Sequence, residues 1–203
     1  MPSIKIELFE DKLKTFFAEH NRVAVAFSGG CDSCLVLALA KKYCKDVKAY
    51  MVFTDFQMRS DLLDARNFAR ACGVDLEVFE LDVLKHENMQ QNPENRCYLC
   101  KSLMFQTIRN AAVRDGFDTL VDGTNLSDDP SNRPGFKALK EYDVISPLRL
   151  CGLEKSDVRA LSAALGLISA NKPSFSCIAT KFPYGAILSS GILRQKEREL
   201  KAL

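Results

Sequence analysis

Two groups of residues in this chain are of a type and spacing that could do chemistry. The first is Ser28-Gly29-Gly30-Cys31-Asp32-Ser33, and the second is a scatter of eight cysteines that includes Cys97-x-x-Cys100 and Cys177. Paired glycines let backbone N–H groups approach an anion closely, and the Ser28 and Ser33 hydroxyls add donors beside them. Such a loop would hold phosphate. It is not a Walker loop, because no Gly-Lys-Ser/Thr follows at the required distance, and it is not Gly-x-Gly-x-x-Gly. The cysteines allow several chemistries. Cys31-x-x-Cys34 with Cys97-x-x-Cys100 has the spacing of a zinc site, although Cys31 falls in the glycine turn and Cys34 in the first turn of a helix that must pack on a sheet. Cys44, Cys72 and Cys151 stand alone near element ends, where a thiol behaves as a small hydrophobe.

The elements that must position these groups read as alternating strands and helices. Val23 to Phe27 makes a buried strand, the Ser-Gly-Gly turn follows, and a helix opens at Asp32 and Ser33, so its positive dipole end faces the loop. An amphipathic helix over about Ile6 to His20 comes before it. The second strand is Val47–Phe53, ending at Thr54. Ser60 is expected to cap a helix from about Asp61 to Cys72, closed by Gly73. A third strand follows at Leu76–Leu81. After a polar stretch, a helix runs from the second cysteine pair to Arg114, so that Lys101 lies near its start, where the dipole does not favour a cation and a phosphate or carboxylate would. The fourth strand, Thr119–Val121, leads into Asp122, Gly123 and Thr124 at its C-terminal end. A turn-rich loop carries Asp128, Asp129 and Arg133, with Arg133 a candidate anion contact. Val144–Leu148 reads as a fifth strand and Glu154–Leu165 as a helix. Residues 171 to 185 form a loop around Cys177, and a last amphipathic helix begins near Ser189 or Ser190. This alternation predicts an α/β fold with a parallel five-stranded sheet flanked by helices and a ligand crevice at the strands' C-terminal ends.

Composition bounds the rest. The 203 residues suit one α/β domain or one domain with a short appendage, and 47% hydrophobic residues can bury a core. A net charge of +2 marks neither a strongly basic nucleic-acid binder nor an acidic tail. No apolar run is long enough to span a membrane, and the first residues mix charges without an apolar signal core. The chain is therefore read as cytoplasmic, with its cysteines reduced.

Taken in order, SGGCDS, NRCYLCK, VDGTNLSDD, RPGFKAL, ISPLRLCGLEKSDVRALSAALGL and KPSFSCIATKFPYG resemble the LarE family of ATP-dependent sulfur transferases from residue 20 to the end of the chain. The loop alone resembles that of the wider ATP-pyrophosphatase (PP-loop) superfamily. The resemblance implies a Rossmann-like adenine nucleotide α-hydrolase fold and a substrate nucleotide, pyridinium-3,5-biscarboxylic acid mononucleotide. It also implies ATP with Mg²⁺ as cofactors, adenylation of a carboxylate, its conversion to a thiocarboxylate, and a homo-oligomer. Carried onto this sequence, Asp32 and Ser33 organise Mg²⁺ and pyrophosphate. The nucleotide-binding set is Ser28, Gly29, Gly30, Asp32, Ser33, Thr54, Gly123, Thr124, Arg133, Thr180 and Lys181, with Lys101 and Cys177 joining Asp32 in catalysis. Thr180-Lys181 replaces the family's usual Ser-Arg; lysine keeps the charge but loses the bidentate fork.

The family has two forms, one that sacrifices the sulfur of a single cysteine at the Cys177 position and one that has three cysteines. This chain has all three. Cys97, Cys100 and Cys177 could hold three irons of a [4Fe–4S] cluster, leaving the fourth iron open for an extra sulfide. Structural zinc, plain core cysteines and a sacrificial Cys177 are the alternatives. A tRNA thiolase of the same superfamily and a nucleotide sensor without turnover are the rival functions, although no basic RNA-binding appendage is visible. Family members usually continue into a smaller C-terminal domain. Residues 1–188 are accordingly expected to form the ATP-pyrophosphatase domain, and 189–203 the start of a truncated or missing one.

Overall fold

The computed structural model describes residues 2–86, 88–129, 135–173 and 177–201. Helix α1 (Pro2–Glu19) precedes β1 (Arg22–Ala26), α2 (Cys31–Tyr43), β2 (Asp46–Thr54), α3 (Arg59–Ala71) and β3 (Asp75–Leu81). Then come α4 (Arg96–Arg114), β4 (Thr119–Val121), α5 (Gly135–Glu141), β5 (Val144–Ile145), α6 (Pro147–Leu150), α7 (Lys155–Ala164) and α8 (Ser190–Lys201). Short 3₁₀ turns fill the loops.

The five strands are all parallel, in the order β3-β2-β1-β4-β5. Chain order reverses between β1 and β4, so the connections leaving these two neighbouring strands diverge to opposite sides and open a crevice at their C-terminal ends. Both faces of the sheet are covered, and alternate strand residues serve the two layers. Val23 and Val25 of β1 point into a core shared with Leu35 and Leu39 of α2, Phe68 of α3 and Leu161 of α7. Ala24 points the other way, to Phe105 and Ile108 of α4 and Ala138 of α5. A third apolar cluster joins Phe56 and Met58 after β2 to Ile178, Leu188 and Leu193, so α8 packs on the loops of the sheet's C-terminal edge.

Three local expectations are corrected. The fifth strand is only Val144–Ile145, because Pro147, which lacks an N–H and fixes φ, starts the one-turn helix α6 at its favoured first position. Ser60 lies inside α3 rather than capping it; Met58 occupies the cap without a side-chain bond. Residues Gly135–Glu141, which the turn-rich loop obscured, form a helix packed on α4.

Two glycines set how close the elements come. Gly29 has φ +71°, and a Cβ there would lie 2.9 Å from Cβ of Ala65 in α3. A Cβ on Gly123, just past β4, would lie 2.7 Å from the backbone N of Ser33 and 3.0 Å from the carbonyl carbon of Asp32. The obstacle is helix backbone, which cannot swing aside. Gly123→Ala is therefore expected to destabilise the fold by about 1–3 kcal/mol, read as a fall of roughly 2–12 °C in the midpoint of thermal unfolding; an unchanged midpoint would contradict this packing.

Candidate active site

The glycine loop is held by its own hydroxyls. Ser33 Oγ accepts from the Ser28 N–H at 3.3 Å, lies 3.1 Å from Ser28 Oγ and donates to the Gly30 carbonyl at 3.1 Å. Ser28 Oγ in turn accepts from the Gly30 N–H at 3.4 Å. The loop ends on the N-terminus of α2, where free N–H groups and the helix dipole meet. A clasped loop with its N–H groups gathered at a helix start is the geometry that receives phosphate oxygens.

Clefts open on both sides of this loop, and Ser28 and Asp32 line both. The first, about 280 Å³, lies in the crevice between β1 and β4. Phe27, Val52, Met104 and Ile108 form its apolar part, and Lys101, Asp122 and Thr124 its polar part. Apolar walls with a few convergent polar groups are the makeup of a small-molecule pocket. Asp122 is buried and accepts from Ser146 Oγ at 2.6 Å, Thr124 Oγ1 at 2.5 Å and the Thr124 N–H at 3.1 Å. Burial nevertheless raises its carboxyl above the ordinary aspartate range, with those hydrogen bonds opposing the shift. Lys101 reaches the cleft across Gly135, where a Cβ would overlap Cδ of the lysine and lie 3.0 Å from Cε. The glycine leaves room for the lysine stem.

The second cleft, about 270 Å³, faces the other side of the loop and contains Cys177 together with Lys155, Lys172 and Asp61. Asp32 accepts from Lys155 Nζ at 2.5 Å on one carboxylate oxygen and from Asn125 Nδ2 at 3.1 Å on the other. Lys172 bonds the Gly29 carbonyl at 3.1 Å, Asp64 at 2.8 Å and Asp61 at 3.3 Å. Burial works against the Lys172 ammonium, but these carboxylates outweigh it and raise its pKa.

What brings the cysteines of distant segments together is a buried arginine. Arg96, 2% exposed, bonds the Asn92 side chain and the Ala179 carbonyl, and Asn92 Nδ2 bonds the carbonyls of Phe182 and Pro183 at 3.3 and 2.7 Å. The start of α4 is thereby stapled to the turn that follows Cys177. Ile178 N–H also donates to the Phe56 carbonyl at 2.9 Å, tying that turn to the end of β2. As a result, Cys100 and Cys177 pack against one apolar cluster with Phe56, Ile178 and Leu188. Arg96 Nη2 approaches Cys97 Sγ at 3.7 Å. Burial pushes the Cys100 thiol up to about 12, and it also raises Cys177, where Arg96 opposes the shift. Among the described residues no three Cys, His, Asp or Glu side chains are gathered as for a single metal ion. Thiols without imidazole or carboxylate are the ligand type of iron–sulfur clusters, but among the described residues these three are not gathered into a metal site. Cys31 lines the second cleft with Cys177, but its Sγ lies 3.8 Å from Ser162 Oγ, and both Cys31 and Cys34 pack in the core beneath the loop. The four-cysteine zinc constellation is therefore not assembled among the described residues.

Thr54, Thr180 and Lys181 do not line these clefts. Thr54 is buried and its hydroxyl accepts from the Phe56 N–H at 3.2 Å, closing the turn after β2. Thr180 Oγ1 donates to the Cys177 carbonyl at 2.6 Å, and Lys181 is exposed in the same turn. Arg133 falls outside the described residues. Sequence reasoning missed Lys155, Lys172, Asp61 and Asn125. Lys155 did carry a signal, since it is a lysine in the first turn of a helix, the end that repels cations.

The burial of the thiols is directly checkable. With pKa values of about 12 for Cys34 and Cys100, about one part in ten thousand is thiolate at pH 8. Iodoacetamide at pH 8 should leave both unmodified in the folded, metal-free protein, and mass spectrometry should find both labelled after unfolding in guanidinium. Rapid labelling of Cys100 in the folded state would contradict its raised pKa.

Comparison with known proteins agrees with this geometry. The PP-loop domain model ATP_bind_3 matches residues 5–130. Pyridinium-3,5-bisthiocarboxylic acid mononucleotide synthase from Lactiplantibacillus plantarum is 31% identical over 187 residues, 90% of this chain and 68% of that protein. An uncharacterised protein from Synechocystis is 35% identical over 176 residues, 86% of this chain and 66% of its own length. The chain thus spans about two thirds of the length of these relatives. NMN synthetase from Francisella tularensis superposes with a TM-score of 0.67 at 15% identity, covering 97% of this chain and 86% of that one, which is a likeness of fold. By the extent of the domain match and the identity to the Lactiplantibacillus enzyme, the chain belongs to the PP-loop family, in its LarE branch of ATP-using sulfurtransferases.

Proposed function

We propose that this protein uses ATP to activate a carboxylate of pyridinium-3,5-biscarboxylic acid mononucleotide and replaces an oxygen of that carboxylate with sulfur. The observation that carries the reading is the two-sided loop: Ser28 and Asp32 face a nucleotide cleft on one side and the cleft that contains Cys177 on the other. A carboxylate entering from the Cys177 side meets the α-phosphate across the loop. Its oxygen attacks the α-phosphorus, the bond to the β-phosphate oxygen breaks, and pyrophosphate leaves against the loop N–H groups, Ser33 and a Mg²⁺ ion that Asp32 would hold. A sulfur nucleophile then attacks the acyl carbon, AMP leaves with the electron pair of the broken C–O bond, and a thiocarboxylate remains.

Cys97, Cys100 and Cys177 would hold a [4Fe–4S] cluster, and that group, when bound, supplies a sulfur source that spares the protein's own thiols. Around it the chain's residues act in their own right. Arg96 fixes the distance between the α4 thiols and Cys177, Phe56 and Met58 wall the cleft against water, and Lys101 balances negative charge on the nucleotide side. The sulfur donor that recharges the site is a free sulfide or a sulfur-carrying partner.

Two substitutions separate the steps. Asp32→Ala should lower ATP-dependent pyrophosphate release by at least about 100-fold, whereas Cys177→Ala should retain a single-turnover burst of pyrophosphate while forming no thiocarboxylate. Unchanged release in Asp32→Ala, or thiocarboxylate from Cys177→Ala, would overturn the reading. Anaerobically prepared protein is expected to hold about four irons per chain and to lose them in Cys97→Ala and Cys100→Ala. Iron-free protein after reconstitution, with Cys177 converted to dehydroalanine after one turnover, would instead assign the sulfur to Cys177 itself.

A further inference from the structure

Among its described residues, α8 buries two side chains, Leu193 and Glu197, which lie four positions apart and so on one face of the helix. Leu193 joins the apolar cluster of Phe56, Met58 and Ile178. Glu197 is a carboxylate only 4% exposed, and a carboxylate is rarely buried unless its oxygens are satisfied. Those of Glu197 are. Oε1 accepts from the Arg59 N–H at 2.6 Å and from Lys201 Nζ at 2.9 Å, and Oε2 accepts from Arg194 Nη1 at 3.0 Å.

Arg59 is the first residue of α3. The first N–H groups of a helix have no partner within it, and the side chain at the preceding position commonly supplies one. Here that position is Met58, which makes no such bond. The cap comes instead from 138 residues away, as a charged group at the positive end of the helix dipole. Arg194 extends the contact back along the chain, to the Gln57 carbonyl at 3.4 Å and the Asp55 carboxylate at 3.5 Å. The segment held in this way is also a wall of the sulfur side. Phe56, Gln57 and Met58 line the cleft that contains Cys177, and the Phe56 carbonyl accepts from the Ile178 N–H at 2.9 Å. Glu197 itself lines neither cleft, so its effect there passes through α3 and the residues before it.

We propose that Glu197 is a positioning residue of the Cys177 cleft: from α8 it caps the α3 N-terminus, which has no local cap, and so holds Phe56, Gln57 and Met58 against the turn that carries Cys177. The walls of the nucleotide cleft, Phe27, Val52, Met104 and Ile108, belong to other elements. Loss of the cap therefore falls on the sulfur step rather than on ATP activation. That last consequence rests on the sulfur-transfer reading given above; the placement of the wall does not.

Amide hydrogen exchange of the wild type reads the cap directly, because the Arg59 N–H should exchange at least about tenfold more slowly than in an unfolded chain. Exchange at the unfolded-chain rate would overturn the proposal. Glu197→Ala, Glu197→Gln and Glu199→Ala, the last a change on the exposed face of α8, are then compared at a temperature where each is folded. In the metal-free protein iodoacetamide should modify Cys177 about tenfold faster in Glu197→Ala than in the wild type. Glu197→Gln, which keeps an oxygen for the Arg59 N–H, should stay within about threefold of the wild type, and Glu199→Ala should match it. With ATP and the dicarboxylate, Glu197→Ala should form at least about fivefold less thiocarboxylate per pyrophosphate released. An unchanged Cys177 rate and product ratio in Glu197→Ala would make Glu197 a mere anchor of α8 and defeat the proposal, leaving the sulfur-transfer reading intact. If the wild type forms no thiocarboxylate while the Cys177 rates differ as expected, the sulfur-transfer reading fails and the positioning of the cleft stands.

Discussion

The structure turns on one steric constraint: the glycine loop passes between α3 and the end of β4 where no side chain fits. Gly29 lies against Ala65 on one side, and Gly123 against the Asp32–Ser33 backbone on the other. Because β1 and β4 are hydrogen-bonded neighbours, the turn after one and the turn after the other must share the same few ångströms. With both glycines in place the α2 N-terminus stands directly over the crevice, so its N–H groups and dipole act where phosphate would lie. A side chain at Gly29 would press on α3, and one at Gly123 on the start of α2.

The loop divides the chemistry as well as the space. On one side are apolar walls with a buried carboxylate and a lysine; on the other are thiols and charged pairs. Ser28 and Asp32 belong to both. Acyl activation requires two reactants to meet at one phosphorus, and most of the advantage of such a site comes from holding them in line rather than from any one catalytic group. In the proposed reaction, a thin loop with two open faces is what would hold the two reactants in line.

Several charges near the loop are balanced in pairs among the described residues. Asp32 is matched by Lys155, Lys172 by Asp61 and Asp64, and Arg194 by Glu197 and Asp55 at the edge where α8 packs. Arg96 is matched instead by neutral carbonyl groups, so that its charge is felt by the neighbouring thiols. Among the described residues this buried cation has no carboxylate partner, a costly arrangement that its hydrogen bonds to Asn92 and Ala179 offset in part.

The sequence by itself determined the parallel α/β fold, the phosphate loop and the family, because each rests on local patterns: strand periodicity, paired glycines before a helix, and short strings in fixed order. Register and element ends were less legible. Pro147 turned an expected strand into a helix, and the α5 helix was hidden behind turn residues, since short elements are decided by what they pack against. The approach of the α4 start to the turn after Cys177 rests on the buried Arg96–Asn92 pair, a contact that spans more than eighty residues between Arg96 and Ala179 and that no local pattern announces. Likewise, the pairing of Asp32 with Lys155, 123 residues apart, follows from how α2 and α7 pack on one face of the sheet. Local sequence sets which groups are available; only the long-range packing of helices on the sheet decides which of them share a cleft.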